Sequence, residues 1–193
     1  MPCSSAARPR RSDRSGVSVC TANPRSSSQP ASRSITGRLL WSNCGDTLLT
    51  EKHEVTLQNI DDFAELSGDK FYAHMDENAL DGTVFTGRVA HGYYILSRAA
   101  GLFVDPPKGP VLLNYGIEEA RFTKPVYPGT TIQVRFTVKE KVDQEKKPKT
   151  EDMPKGADVA SGIVKFLVDV IDETGETVAI ATILTMVRKL DQS

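Results

Sequence analysis

A chain of 193 residues, 39% hydrophobic and 25% charged, has the makeup of one globular domain of ordinary size with a tail, not of a multidomain enzyme. No apolar run reaches the roughly 18–20 residues that span a bilayer, and three cysteines are too few for a disulfide scaffold and point to a reducing compartment. The formal net charge of −1 conceals an asymmetry: residues 1–45 hold seven Arg, no Lys and one acid, whereas the remainder holds 17 Lys+Arg against 24 Asp+Glu. An acidic body repels phosphates, and in the basic tail no aromatic residue precedes Trp41 to stack bases, which argues against nucleic-acid binding.

Residues 1–45 form a separate compositional zone with eleven Ser and four Pro. Apolar residues there are too few to offset the entropy of folding, which predicts disorder. The Arg- and Ser-rich, acid-poor character also fits an organelle transit peptide, but Pro2, Pro9, Pro24 and Pro30 would interrupt the amphipathic helix such a peptide needs. With no signal-peptide core, the expected location is the cytoplasm, or the mitochondrion if the tail acts as a transit peptide. Cys3, Cys20 and Cys44 all lie in this zone, at spacings that match no zinc motif, so the body has no cysteine nucleophile.

The folded domain is expected over residues 46–193. Glu51 to Thr56 reads as a short strand, and Thr56 then caps a helix in which Leu57, Ile60, Phe63, Ala64 and Leu66 follow helical spacing. Ser67-Gly68-Asp69 stops that helix, a loop runs from Lys70 to His74, and Asp76 to Leu80 has the pattern of one more helical turn. From Arg88 to Phe103 nearly every residue is apolar or aromatic, with only Arg98 charged between those two ends. A helix apolar on nearly every side must be surrounded by protein. Gly92 lies near its start, and Asp105-Pro-Pro ends it.

The remainder reads as β-structure. Val111 to Ile117 and Ala120 to Thr123 are two short candidate strands. Ile132, Val134, Phe136 and Val138 alternate with polar residues, as do Val164, Phe166, Val168 and Val170. Residues 143–159 are a charged, Pro-containing loop, Asp172 to Gly175 a turn, and Thr177 to Val187 the returning strand. One apolar helix followed by antiparallel strands predicts an α+β hot-dog fold, an antiparallel β-sheet wrapped around a long central helix, because nothing else in the chain could bury that helix.

Three histidines exist: His53 in a charged strand, His74 in the loop after Asp69, and His91 at the start of the buried helix. A carboxylate and an imidazole five residues apart on a turning segment can face one hollow and handle a proton, although on spacing alone a surface loop with a helix-stopping Asp is the commoner reading. The backbone N–H of Gly92, at a helix N-terminus, would suit an oxyanion on a thioester carbonyl, and Gly there equally serves close helix–strand packing. His91 reads as a hydrogen-bonded core histidine. No phosphate loop, dinucleotide fingerprint, nucleophile elbow or zincin motif is present, so phosphate-loop, nicotinamide, serine-hydrolase and zincin chemistries have no support.

Taken together, Phe63-Ala-Glu-Leu-Ser-Gly-Asp69 with His74, Val89-Ala-His-Gly92, and Phe122-Thr-Lys-Pro-Val-Tyr-Pro-Gly129 resemble the signatures of the MaoC-like, or R-specific, enoyl-CoA hydratases. The resemblance covers roughly residues 45–189. Gly68 to Asp76, Ala99 to Pro106 and Gly109 to Gly116 are closer still to the PaaZ-type hydratase domains of phenylacetate ring opening, with Phe71-Tyr72 where the broad family has Asn-Pro. The resemblance implies a homodimer or higher homo-oligomer acting on an acyl-CoA, with catalytic Asp69, His74 and Gly92, no metal or redox cofactor, and coenzyme A as part of the substrate. It implies hydration of a 2-enoyl-CoA, or hydrolytic opening of oxepin-CoA in phenylacetate degradation or a tropone-forming branch. The aldehyde so formed would pass to a separate aldehyde dehydrogenase or react spontaneously. Arg121 and Lys124 are phosphate contacts by charge and position only, and read equally well as solvated charges. A silent acyl-CoA-binding subunit and a thioesterase are the alternatives on the same fold.

Overall fold

The computed structural model describes residues 17–18, 43–103, 110–144 and 159–189. The strands are β1 (Val17–Ser18), β2 (Thr47–Leu49), β3 (His53–Glu54), β4 (Val111–Phe122), β5 (Thr131–Asp143), β6 (Ser161–Ile171) and β7 (Thr177–Arg188). The helices are α1 (Leu57–Ser67), α2 (Tyr72–Met75) and α3 (Gly92–Phe103), with a 3-10 turn at Glu77–Leu80. The sheet is antiparallel throughout, in the order β1-β5-β6-β7-β4, and β2 and β3 also pair with β5.

The core forms where α3 meets the inner face of β5, β6 and β7. Ile95, Leu96, Ala99 and Phe103 bury one side of α3. They meet the alternating residues Val134, Phe136 and Val138 of β5 and Val164, Phe166 and Val168 of β6. The Phe103 ring lies 4.6 Å from that of Phe136 and 5.2 Å from that of Phe166. Each such aromatic side chain removed from water contributes about 1.5–3 kcal/mol, so this cluster fixes the helix over the sheet. The α+β arrangement of an antiparallel sheet about one central helix is therefore as the hydropathy pattern predicts.

Several boundaries differ from expectation. Segment 88–91 is not helical: α3 begins at Gly92, and Val89 and Ala90 instead pair their N–H groups with the carbonyls of Ala73 (3.0 Å) and Val126 (2.8 Å). His74 lies on a helical turn, α2, rather than in a loop. The two short strands expected between 111 and 123 are one strand, β4, whose register slips three times and whose Glu119 adopts φ 55°. Bulges of this kind break the alternation on which the strand reading relied. The helix α3 is also not covered on every side, since Tyr93, Ser97 and Gly101 form an exposed stripe. Local chemistry set the remaining ends. Thr56 and Asn59 form a reciprocal capping box at α1, and Gly68 closes it with φ 77°.

Most of the predicted disordered tail, the Asp105-Pro-Pro stop and most of the 143–159 loop lie outside the described residues. Within the tail, Val17–Ser18 pairs with Val142 and Lys141 of β5, so those two residues are ordered strand, not coil. Cys44 packs against the core and is disulfide-bonded, contrary to the expectation of reduced thiols. Among the described residues no helix is long and apolar enough to cross a membrane.

Candidate active site

Asp69 immediately follows the glycine that ends α1, and His74 sits one turn into α2. The chain reversal between these helices brings the two side chains together. His91, the residue before α3, joins them from a different segment. One carboxylate oxygen of Asp69 and one ring nitrogen each of His74 and His91 lie within 4.8 Å of one another. The two imidazoles stack, with centroids 3.7 Å apart and planes inclined by 27°.

The hydrogen bonds define the tautomers. His74 Nδ1 lies 2.7 Å from the Val89 carbonyl. A carbonyl oxygen only accepts, so Nδ1 carries the proton and, in the neutral ring, Nε2 holds a lone pair. His91 Nε2 lies 2.8 Å from the Asp69 carbonyl and by the same reasoning donates to it. Its Nδ1 is buried without a hydrogen-bond partner. Protonating that nitrogen would strand a charged donor in the interior. Burial accordingly lowers the His91 pKa from its ordinary 6.5, against the smaller opposing effect of the Asp69 carbonyl. His91 is 1% exposed, and it fixes the backbone at Asp69 while its ring braces that of His74.

Asp69 itself is exposed, and its carboxylate accepts from the Phe71 N–H at 3.3 Å. Phe71 and Tyr72 pack against each other at 4.4 Å, and Phe71 meets the His74 ring edge-on at 5.9 Å. An aromatic wall therefore stands beside the imidazole. Three groups this close could in principle ligate a metal. Ligation requires lone pairs aimed at one point. Stacked rings hold theirs side by side, and one His91 nitrogen is committed to the Asp69 carbonyl, so the donor set suits proton transfer better than ligation.

The third predicted residue, Gly92, is covalently next to His91. Its N–H has no hydrogen-bond partner among the described residues, as befits the first residue of a helix. A Cβ at this position would lie 2.6–2.7 Å from three ring atoms of Phe122. Close packing against Phe122 thus favours glycine here, and the same absence of a side chain leaves the N–H approachable. Gly92, Ile95, Phe122 and Val126 line a largely apolar cavity of about 310 Å³. Asp69 and His74 do not line that cavity.

The remaining sequence candidates fall elsewhere. His53 bonds the Tyr94 hydroxyl at 2.9 Å, away from the His74–His91 pair. Lys124 is taken up by Asp172 at 2.6 Å and by Glu176, which ties the end of β4 to the β6–β7 turn rather than leaving a free cation for phosphate. Sequence reasoning placed His91 in the core and missed its contact with the pair; its position directly before Gly92 was the available signal.

Residues 42–160 match the model of the MaoC-like domain, more than half of the chain. The chain belongs to the MaoC-like domain family. Protein MaoC of Klebsiella aerogenes is 51% identical over 110 residues, which cover 57% of this chain and 33% of that protein. The chain thus spans about a third of that relative's length. A 3-hydroxybutyryl-CoA dehydratase of Methylorubrum extorquens is 28% identical over 112 residues, covering 57% of this chain and 71% of that one. Among solved structures, the Mycobacterium tuberculosis protein Rv0216, described as a double hot-dog fold, superposes with a TM-score of 0.63 over 79% of this chain and 44% of its own, at 15% identity. That likeness is one of fold alone. It gives the sheet-around-helix arrangement of this MaoC-like domain its name, the hot-dog fold.

Proposed function

We propose that this MaoC-like domain is a hydro-lyase that adds water reversibly to a 2-enoyl-CoA thioester. The observation that carries the reading is the Asp69–His74 pair, in which the Val89 carbonyl holds His74 with Nδ1 protonated and Nε2 free to take a proton. In the forward direction, Nε2 of His74, assisted by the Asp69 carboxylate, removes a proton from water as its oxygen attacks the β-carbon. Electrons move toward the thioester carbonyl, and the Gly92 N–H receives the charge that develops on its oxygen. A proton from one of the pair then completes the α-carbon. No metal or redox group is required by this scheme, and coenzyme A enters as part of the substrate.

The finer reading is hydrolytic opening of oxepin-CoA. The Phe71–Tyr72 wall beside His74 favours it, since aromatic side chains accommodate a flat ring better than a flexible chain. Water added to the enol-ether carbon would give a hemiacetal that opens to an aldehyde, released to a separate aldehyde dehydrogenase. The working unit is a homodimer. Among the described residues no strand pairs with the outer edge of β4, which exposes Leu113, Tyr115, Ile117 and Phe122, and a second copy would cover them. A cytoplasmic location accords with an acyl-CoA substrate.

The test follows enoyl-thioester ultraviolet absorbance with crotonyl-CoA and with oxepin-CoA while free thiol is titrated. Hydration removes absorbance without releasing thiol. Thiol release would indicate a thioesterase, and no change a silent binder. Preference for crotonyl-CoA would remove the ring-opening reading and leave the hydratase. Asp69→Asn should lower kcat at least about a hundredfold, and near-normal turnover in that variant would overturn the assignment.

A further inference from the structure

The site depends on an imidazole held in one tautomer, and the elements that hold it come from segments far apart in the chain. The His74 ring is fixed from segment 88–90. Val89 accepts from Nδ1, and its own N–H donates to Ala73 on the turn that bears the ring. That segment is extended and belongs to neither a helix nor the sheet, so something must hold it against α2.

Arg88 makes the remaining link. Its Nε donates to the His74 carbonyl at 2.6 Å, and its terminal nitrogen pairs with the Asp61 carboxylate on α1. The Arg88 side chain is only 12% exposed. A guanidinium has a planar fork of donors, so two acceptors in different directions are met at once without rotating the side chain. Lysine, a point charge on a flexible stem, could meet either acceptor but would not reproduce the fork. The bonds then close a loop: α1 through Asp61 to Arg88, Arg88 to the His74 backbone, and the His74 ring back to the residue after Arg88.

We propose that Arg88, anchored by Asp61, is a positioning residue that keeps His74 in its Nδ1-protonated form with Nε2 directed to substrate. It touches neither substrate nor the reacting atoms. The inference rests on the hydratase reading for its kinetic consequence, but its structural content stands apart. Without the fork, the α2 turn separates from segment 88–90 and the His74–Val89 bond is lost part of the time. A free imidazole ring then samples both tautomers, and only the Nδ1-protonated one leaves Nε2 basic.

The test uses the full chain with ¹⁵N-labelled histidine. Two-bond ¹⁵N–¹H spectra distinguish Nδ1–H from Nε2–H in the neutral ring. Wild type should give an Nδ1–H spectrum for His74, assigned by its absence in His74→Gln. Arg88→Met and Arg88→Lys should both show a tautomer mixture. Their kcat for crotonyl-CoA, per folded molecule, should fall about tenfold or more, with KM changed less than about twofold. Asp61→Asn, altered on the surface of α1, carries the same readouts if the Arg88 variants do not fold. A merely structural role would lower the melting temperature while leaving tautomer and kcat unchanged, and that result overturns the inference. If wild type hydrates no enoyl-CoA, the functional reading fails, and the tautomer measurement alone decides the role of Arg88.

Discussion

Replacing Gly92 by alanine tests whether packing or catalysis fixes that residue. The new methyl would lie 2.6–2.7 Å from three atoms of the Phe122 ring. Carbon atoms rest at roughly 3.5–4.0 Å, so the ring must retreat by about 1 Å. Phe122 is 48% exposed, and the clashing atoms all belong to its ring, so the side chain can swing rather than force the backbone. Overpacking of this kind costs about 1–3 kcal/mol. Alanine recovers up to about 1 kcal/mol over glycine in a helix, less at its first position. The single variant should therefore be destabilised by about 1 kcal/mol. In a Phe122→Ala background the collision is gone and only the helix preference remains. Gly92→Ala should then be neutral or stabilising, which makes the coupling between the two sites about 1–2 kcal/mol. Urea denaturation of the four proteins measures it. Equal destabilisation in both backgrounds would refute the argument, because the cost would then arise from something other than the ring.

Two further outcomes follow from the same structure. Burial lowers the pKa values of His91 and His53, so the folded chain resists protons that the unfolded chain binds as pH falls through 6.5. Stability contributed by these groups is complete above that pH and declines below it. Urea midpoints at pH 8 and pH 5 should differ less for His91→Asn than for wild type, and an unchanged difference would exclude His91 as a contributor. Ile117→Lys places a charge on the exposed apolar edge of β4, where Ile117 is 59% exposed. Sedimentation should show wild type as a dimer and the variant shifted to monomer at equal concentration. A monomeric wild type would remove the dimer proposal.

The sequence by itself determined the elements whose signals are local. The Thr56 box and Gly68 bound α1 because capping is settled within four residues. The alternation of β5 and β6 and the apolar run of α3 required a sheet folded over one helix, since that much apolar surface cannot remain in water. The Asp69–His74 pair was legible only through the ordered motifs around it, since a carboxylate and an imidazole five residues apart also describe a surface loop.

Tertiary structure decided the rest. That β4 is one bulged strand depends on its pairing with β7, some 65 residues further along. That glycine is favoured at position 92 depends on a phenylalanine thirty positions away. The partnership of Arg88 with Asp61, and the stacking of His91 on His74, join segments 27 and 17 residues apart. No period or composition encodes such contacts, because each is selected by the shape and charge of a surface that exists only after the helices have packed.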